Sequence, residues 1–162
     1  MAKNQDKDMV VDELEDTGAE PRVYELGFHL DPELPTEEVK KAYNEIRAFI
    51  AANGTLVAEG EPEKIQLAYT ISRQETTGRR DFDSAFFAWI AYEATPLKHA
   101  EILTSADVDK RIVRFIDILT TKDAARHAVE MHELAMKTPE RIEDAEATLG
   151  NELDAALENV AV

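Results

Sequence analysis

The chain has no cysteine, so disulfides, thiolate ligands and thiol nucleophiles are all excluded. It has few basic residues: Lys+Arg 18 stand against Asp+Glu 34, a formal net charge of -16. Such a balance argues at first sight against a nucleic-acid binder, because phosphate is met by Lys and Arg. Long hydrophobic runs are missing too. The longest, Ala85 to Tyr92, falls far short of the roughly 20 residues that a membrane-crossing helix needs. The opening residues carry no apolar stretch of the signal-peptide kind, so a cytoplasmic protein is expected, with no membrane partner. Glycine-rich phosphate loops, nucleophile elbows and HExxH pairs are absent as well. The four histidines, His29, His99, His127 and His132, include no i, i+4 pair, and no metal site is expected. Neither a cofactor nor a small-molecule substrate is implied, and no enzymatic activity is expected.

What is present is unevenly distributed. Residues 1–21 hold two basic and seven acidic residues, and residues 121–162 hold four and ten. The middle, with twelve basic and seventeen acidic residues, is only mildly acidic and can carry basic surface. The head, 1–21, is expected to be a disordered acidic extension. Residues 22–122 form the expected domain, and 123–162 an acidic helical tail.

Within the domain, Tyr24, Leu26, Phe28 and Leu30 alternate with Val23, Glu25, Gly27 and His29, the pattern of a half-buried strand. Thr36 is placed to cap a helix whose apolar stripe is Val39, Tyr43, Ile46, Phe49 and Ile50, with Gly54 as its stop. A strand follows in two pieces, "TLVAE" and "KIQLAYTIS", with Ile65, Leu67, Tyr69 and Ile71 expected on one face. "RQETTGRRDFD" reads as a long hairpin loop before the aromatic strand "SAFFAWIAYEA". Thr95-Pro96 announces a second helix, and "RIVRFIDIL" a last strand of mixed facing. The order strand, helix, strand, strand, helix, strand packs most simply as an α+β, ferredoxin-like βαββαβ domain. Both helices then cover one face of a four-stranded antiparallel sheet, and the other face is left open. Tyr24, Leu26, Phe28, Phe49, Leu67 and Ile90 are the expected core. In the tail, helices are expected over 123–137 and 139–160, the second with an apolar seam from Ile142 to Val160.

One segment stands out chemically. Arg73, Arg79 and Arg80 gather around a short turn of an acidic chain. Phe87 and Trp89 lie on the expected open face and Lys64 on the neighbouring strand. Exposed charge is most often a solvated surface. Arginines beside stacking aromatics nevertheless make an RNA-binding set: Lys64, Arg73, Arg79, Arg80, Phe87 and Trp89. The ferredoxin-like fold also serves acylphosphatase, but the loop after the first strand, "DPELP", has neither the glycine nor the arginine such a site requires.

Three stretches, "YELGFHLDPEL", "KIQLAYTI" and "DKRIVRFIDI", resemble in order and spacing the bacterial small-subunit ribosomal protein S-six family over Arg22 to Lys122. Tyr24, Glu25, Leu67, Ala68, Tyr69 and Arg114 match family positions. The resemblance implies a ferredoxin-like, non-enzymatic constituent of the small ribosomal subunit. It implies binding to 16S ribosomal RNA together with ribosomal protein S-eighteen, docked near the second strand. The alternative is a stand-alone RNA- or protein-binding module of the same fold. Departures are the single charge before Leu67, at Lys64, the long hairpin after Gly78, and both extensions.

Overall fold

The computed structural model describes residues 19–137. The expectations for the rest of the acidic head and for a helix over 139–160 lie outside the described residues. The elements run β1 (Arg22–Leu30), α1 (Thr36–Asn53), β2 (Thr55–Glu75), β3 (Gly78–Ala94), α2 (Pro96–Val108), β4 (Ile112–Thr120) and α3 (Lys122–Lys137). The strands form one antiparallel sheet in the order β2-β3-β1-β4. This is the ferredoxin-like arrangement that the element order implies. The chain divides into two compact units between Ala125 and Arg126, and the first holds the sheet, α1 and α2.

The core lies between the sheet and these two helices. Strand β1 contributes Tyr24, Leu26, Phe28 and Leu30, and β3 contributes Ala88, Ile90 and Tyr92. Helix α1 covers them with Val39, Ala42, Tyr43 and Ile50, and α2 with Ile102 and Ala106. Two of the expected core residues depart from this. Phe49 is 40% exposed. At about 100° per residue the stripe of Val39, Tyr43 and Ile46 continues through Ile50, and Phe49 falls at its edge. Leu67 is only half-buried, because β2 loses its pairing there.

The helix ends follow local chemistry. Thr36 does not cap α1. The cap position is Pro35, whose carbonyl accepts from the Val39 amide at 3.0 Å, and no side chain caps the first turn. Glu37 and Glu38 in that turn suit the positive end of the helix dipole. Gly54 does follow the last residue of α1, in an extended conformation. At α2 the Thr95 hydroxyl accepts from the Lys98 amide at 3.4 Å, with Pro96 in the first turn, as the sequence suggests.

A buried polar chain ties α2 to the sheet. His99 stacks on Tyr24 with ring centroids 3.5 Å apart. Its Nδ1 lies 2.9 Å from the Tyr92 hydroxyl and its Nε2 lies 3.0 Å from Asp117 Oδ2. The imidazole thus bridges the Tyr92 hydroxyl and the Asp117 carboxylate. Burial pushes the Tyr92 phenol up, and the Asp117 charge adds to this, so Tyr92 remains a hydroxyl donor. Tyr92 is fully buried, which marks the arrangement as a structural tie.

The stretch expected as a loop, "RQETTGRRDFD", is almost entirely strand. Pairing continues through Arg73–Arg80, Gln74–Arg79 and Glu75–Gly78, and the turn is Thr76-Thr77 alone. Gly78, at φ 126, supplies the left-handed residue that so tight a turn demands. The break expected near "GEPE" survives as an irregularity: the β2–β3 register shifts between Gly60 and Glu63 and again between Gln66 and Ile71.

Candidate nucleic-acid interface

Strands β2 and β3 run past the end of β1, whose last residue, Leu30, pairs with Phe86. Beyond that point they form a two-stranded arm. Such a ribbon is marginal by itself. Here it is held by contacts to β4 and to the turn that follows β1. Arg73 donates through Nη1 to the Ile112 carbonyl at the start of β4, at 3.0 Å. Arg114 of β4 donates to the Tyr69 hydroxyl at 2.6 Å and lies over its ring. Because β2 and β4 are opposite edges of the sheet, the arm must curl across the end of β1 to make these contacts. The unpaired residues between Gln66 and Ile71 provide the bend. They also break the single face expected for Ile65, Leu67, Tyr69 and Ile71, and Tyr69 is exposed.

The arm's arginines already have anions. Arg80 makes a forked pair with Asp31, Nη1 to Oδ2 at 2.6 Å and Nη2 to Oδ1 at 2.7 Å, and also reaches Glu33 at 2.6 Å. Arg73 donates to Glu75 Oε1 through Nε and Nη2, at 3.1 and 2.5 Å. Both guanidiniums lie over the buried ring of Phe82, Arg73 Cζ at 5.3 Å and Arg80 Cζ at 4.6 Å from its centroid. Burial pushes the Asp31 carboxyl up, but the Arg80 hydrogen bonds, the Glu33 amide and the arginine charges outweigh it. The group ends below its ordinary range. The carboxylates of Asp31, Glu33 and Glu75 are therefore the anions that first meet this cluster.

Arg79 is different. Its side chain is 69% exposed, and it makes one long contact with Asp81 at 3.2 Å and one with the Ser72 hydroxyl at 2.8 Å. Exposed pairs of this kind contribute little to the fold and exchange partners readily. Lys64 is also exposed, with its Nζ 5.8 Å from the Phe86 ring centroid. Between the arm tip and the end of α2 runs a cleft of about 760 Å³, which Arg73, Arg80, Val108, Lys110, Ile112 and Phe115 help to line.

The six residues singled out by sequence do not converge on one point. Arg73, Arg79 and Arg80 share the arm. Lys64 pairs opposite Phe86, seven residues from Arg79 along β3, or about 23 Å of strand. Phe87 and Trp89 sit on the open face, opposite His29 and Gly27 of β1. A Cβ built on Gly60 would come within 2.1 Å of the Trp89 indole nitrogen, so the indole lies directly over this glycine. Sequence reasoning missed the cluster of His29, Tyr69 and Arg114. Arg114 Nε donates to His29 Nδ1 at 3.3 Å, and burial first, then the Arg114 charge, holds His29 low and neutral. The signal was available, since His29 and Arg114 are direct cross-strand partners once β1 and β4 are paired.

The family model for ribosomal protein S6 matches residues 23–118, the whole β1–β4 framework short of its last residues. The chain belongs to the ribosomal protein S6 family. That family consists of structural, non-enzymatic ribosomal proteins. The small ribosomal subunit proteins bS6 of Campylobacter concisus (strain 13826) and Campylobacter curvus (strain 525.92) are each 33% identical to it over 96 residues, 59% of this chain. The aligned part spans 63% and 62% of those relatives. Among solved structures, the 30S ribosomal protein S6 of Thermotoga maritima superimposes with a TM-score of 0.52 over 73% of this chain and 99% of that one. At 17% identity that likeness speaks for the fold. Among the described residues, no helix is long and apolar enough to cross a membrane.

Proposed function

We propose that the protein is a structural constituent of the small ribosomal subunit that binds 16S ribosomal RNA together with ribosomal protein S-eighteen. Family membership supports the ribosomal role. The single observation that carries the RNA reading is the arm: a two-stranded projection with Arg79 exposed at its tip in a chain of net charge -16. Phosphate contacts orient a protein on RNA without reading its sequence, and Arg makes them bidentately. Arg79 and Lys64 are the residues proposed to meet phosphate directly. Arg73 and Arg80 follow if the incoming phosphate displaces Glu75 and Glu33, and Asp31 keeps Arg80 in place meanwhile. The acidic flanks suppress nonspecific RNA binding.

Replacing Arg79 by Ala, or Arg79 and Lys64 together, is expected to weaken assembly onto 16S ribosomal RNA in the presence of S-eighteen. The slope of log affinity against log salt should fall by about one unit per lost contact. Thermal stability should be unchanged, because neither side chain is buried. Affinity and salt slope equal to wild type in the double variant would remove the arm from the RNA interface.

A further inference from the structure

Helix α3 lies beyond the residues that the S6 family model matches, so its role is not inherited with the framework. It is tied down at its start, where Ala125 is buried and Lys122 pairs with Glu93 at 2.6 Å. From Arg126 onward it belongs to the second compact unit, Arg126–Val162. There it is amphipathic. Ala128, Met131 and Ala135 fall on one side at helical spacing, with Met136 beside them, while Arg126, Glu130, Glu133 and Lys137 fall on the other. The apolar side is exposed, Met131 by 52% and Met136 by 65%. An amphipathic helix draws its stability from covering such a side, so it requires an occupant.

We propose that residues 139–149 of the same chain fold back on α3 as an antiparallel helix, so that the extension beyond the S6 framework begins as a helical hairpin. Three observations name this occupant. Thr138-Pro139 follows the end of α3 directly and carries the signal for a new helix start, as the short loop of a helical hairpin demands. The seam that follows, Ile142, Ala145 and Leu149, repeats the three-and-four spacing of the α3 side in mirror order about that loop. The sizes also match: Ala135 comes opposite Ile142, Met131 opposite Ala145 and Ala128 opposite Leu149, a small residue against a large one each time. A second copy of α3 would instead set these alanines against a side equally poor in volume, and RNA would find no cation on this side. With the two apolar sides covering each other, Glu130 and Glu133 of α3 and Glu140, Glu143 and Asp144 of the returning helix turn outward. The extension then presents acid, not apolar surface, to its surroundings. The proposal does not depend on the ribosomal reading.

The chain has no native cysteine, so a pair introduced into the full chain can be trapped cleanly. Ala128→Cys with Leu149→Cys is expected to close an intramolecular disulfide under mild oxidation. It should close about tenfold faster than Glu130→Cys with Leu149→Cys, whose first member lies on the far side of α3. A continuous helix through residue 138 would hold positions 128 and 149 about 30 Å apart and close neither. Because the cysteines themselves remove packed side chains, amide exchange in the otherwise native chain gives a second reading. Leu149→Asp should speed exchange over residues 128–137 by about tenfold, and Glu143→Gln, on the outward side, should leave it as in wild type. Disulfides that form between chains and increase with protein concentration would assign this side of α3 to a second copy and overturn the proposal. So would equal closure of both cysteine pairs, closure of neither, or exchange over 128–137 that Leu149→Asp changes no more than Glu143→Gln.

Discussion

Phe82→Ala is expected to destabilise the protein by about 3–5 kcal/mol and to loosen the β2–β3 arm before the rest of the sheet. The ring is 2% exposed although it lies outside the main core between sheet and helices. It is buried by the arm's own curl, with the Arg73 and Arg80 guanidiniums over it. Truncation leaves a cavity beneath two charged groups and removes both cation–π contacts. Amide exchange read residue by residue should show protection lost first over residues 71–82, with β1 and β3 near Ile90 following only at global unfolding. Uniform loss of protection, with the arm no faster than β1, would show that Phe82 belongs to the main core. A loss below about 1 kcal/mol would show that the arm is not packed in solution as described.

Arg80→Ala is expected to cost about 3 kcal/mol at neutral pH, while Arg79→Ala, one residue away, should stay within about 0.5 kcal/mol. Asp31 is the reason. Its side chain is 12% exposed, and Arg80 is its forked partner. Removing Arg80 strands a buried carboxylate. The pH dependence separates this from simple loss of packing. In the wild type the folded pKa of Asp31 lies below its unfolded value of about 3.9, so its stabilisation is complete above that value. It is lost as the pH falls through the folded pKa. In the variant, burial is opposed only by the Glu33 amide and the Arg73 charge, so the charged form is less favoured and the deficit relative to wild type should shrink as the pH falls below about 4. Chemical denaturation at pH 7 and pH 3 measures this. A deficit that is the same at both would mean that Arg80 acts through its stem on Phe82 and not through Asp31.

The framework was legible in the sequence because period-two alternation in β1 and the Thr95-Pro96 start of α2 are strong local signals. What escaped has a common cause: residues whose roles depend on distant partners. "RQETTGRRDFD" looks like a loop because its polar residues pair with each other across the arm. Phe82 needs Arg73 and Arg80 over it before its burial makes sense. Asp117 faces the helices, which made β4 look mixed, until His99 of α2 supplies its partner. Phe49 was misplaced by a single position on a helical stripe. Of the site, the arginine cluster was visible, but not that carboxylates of the same chain meet it, since Asp31 and Arg80 lie 49 residues apart.

The central claim is that this chain is built into the small ribosomal subunit with its arm against RNA. A cryo-EM map of small subunits purified from the source organism tests it most directly. The map should contain this chain in stoichiometric amount beside S-eighteen, with the Arg79 guanidinium within hydrogen-bond distance of a 16S RNA phosphate and Arg80 still forked on Asp31. Subunits that lack the chain, or that hold it with the arm turned away from RNA, would contradict it.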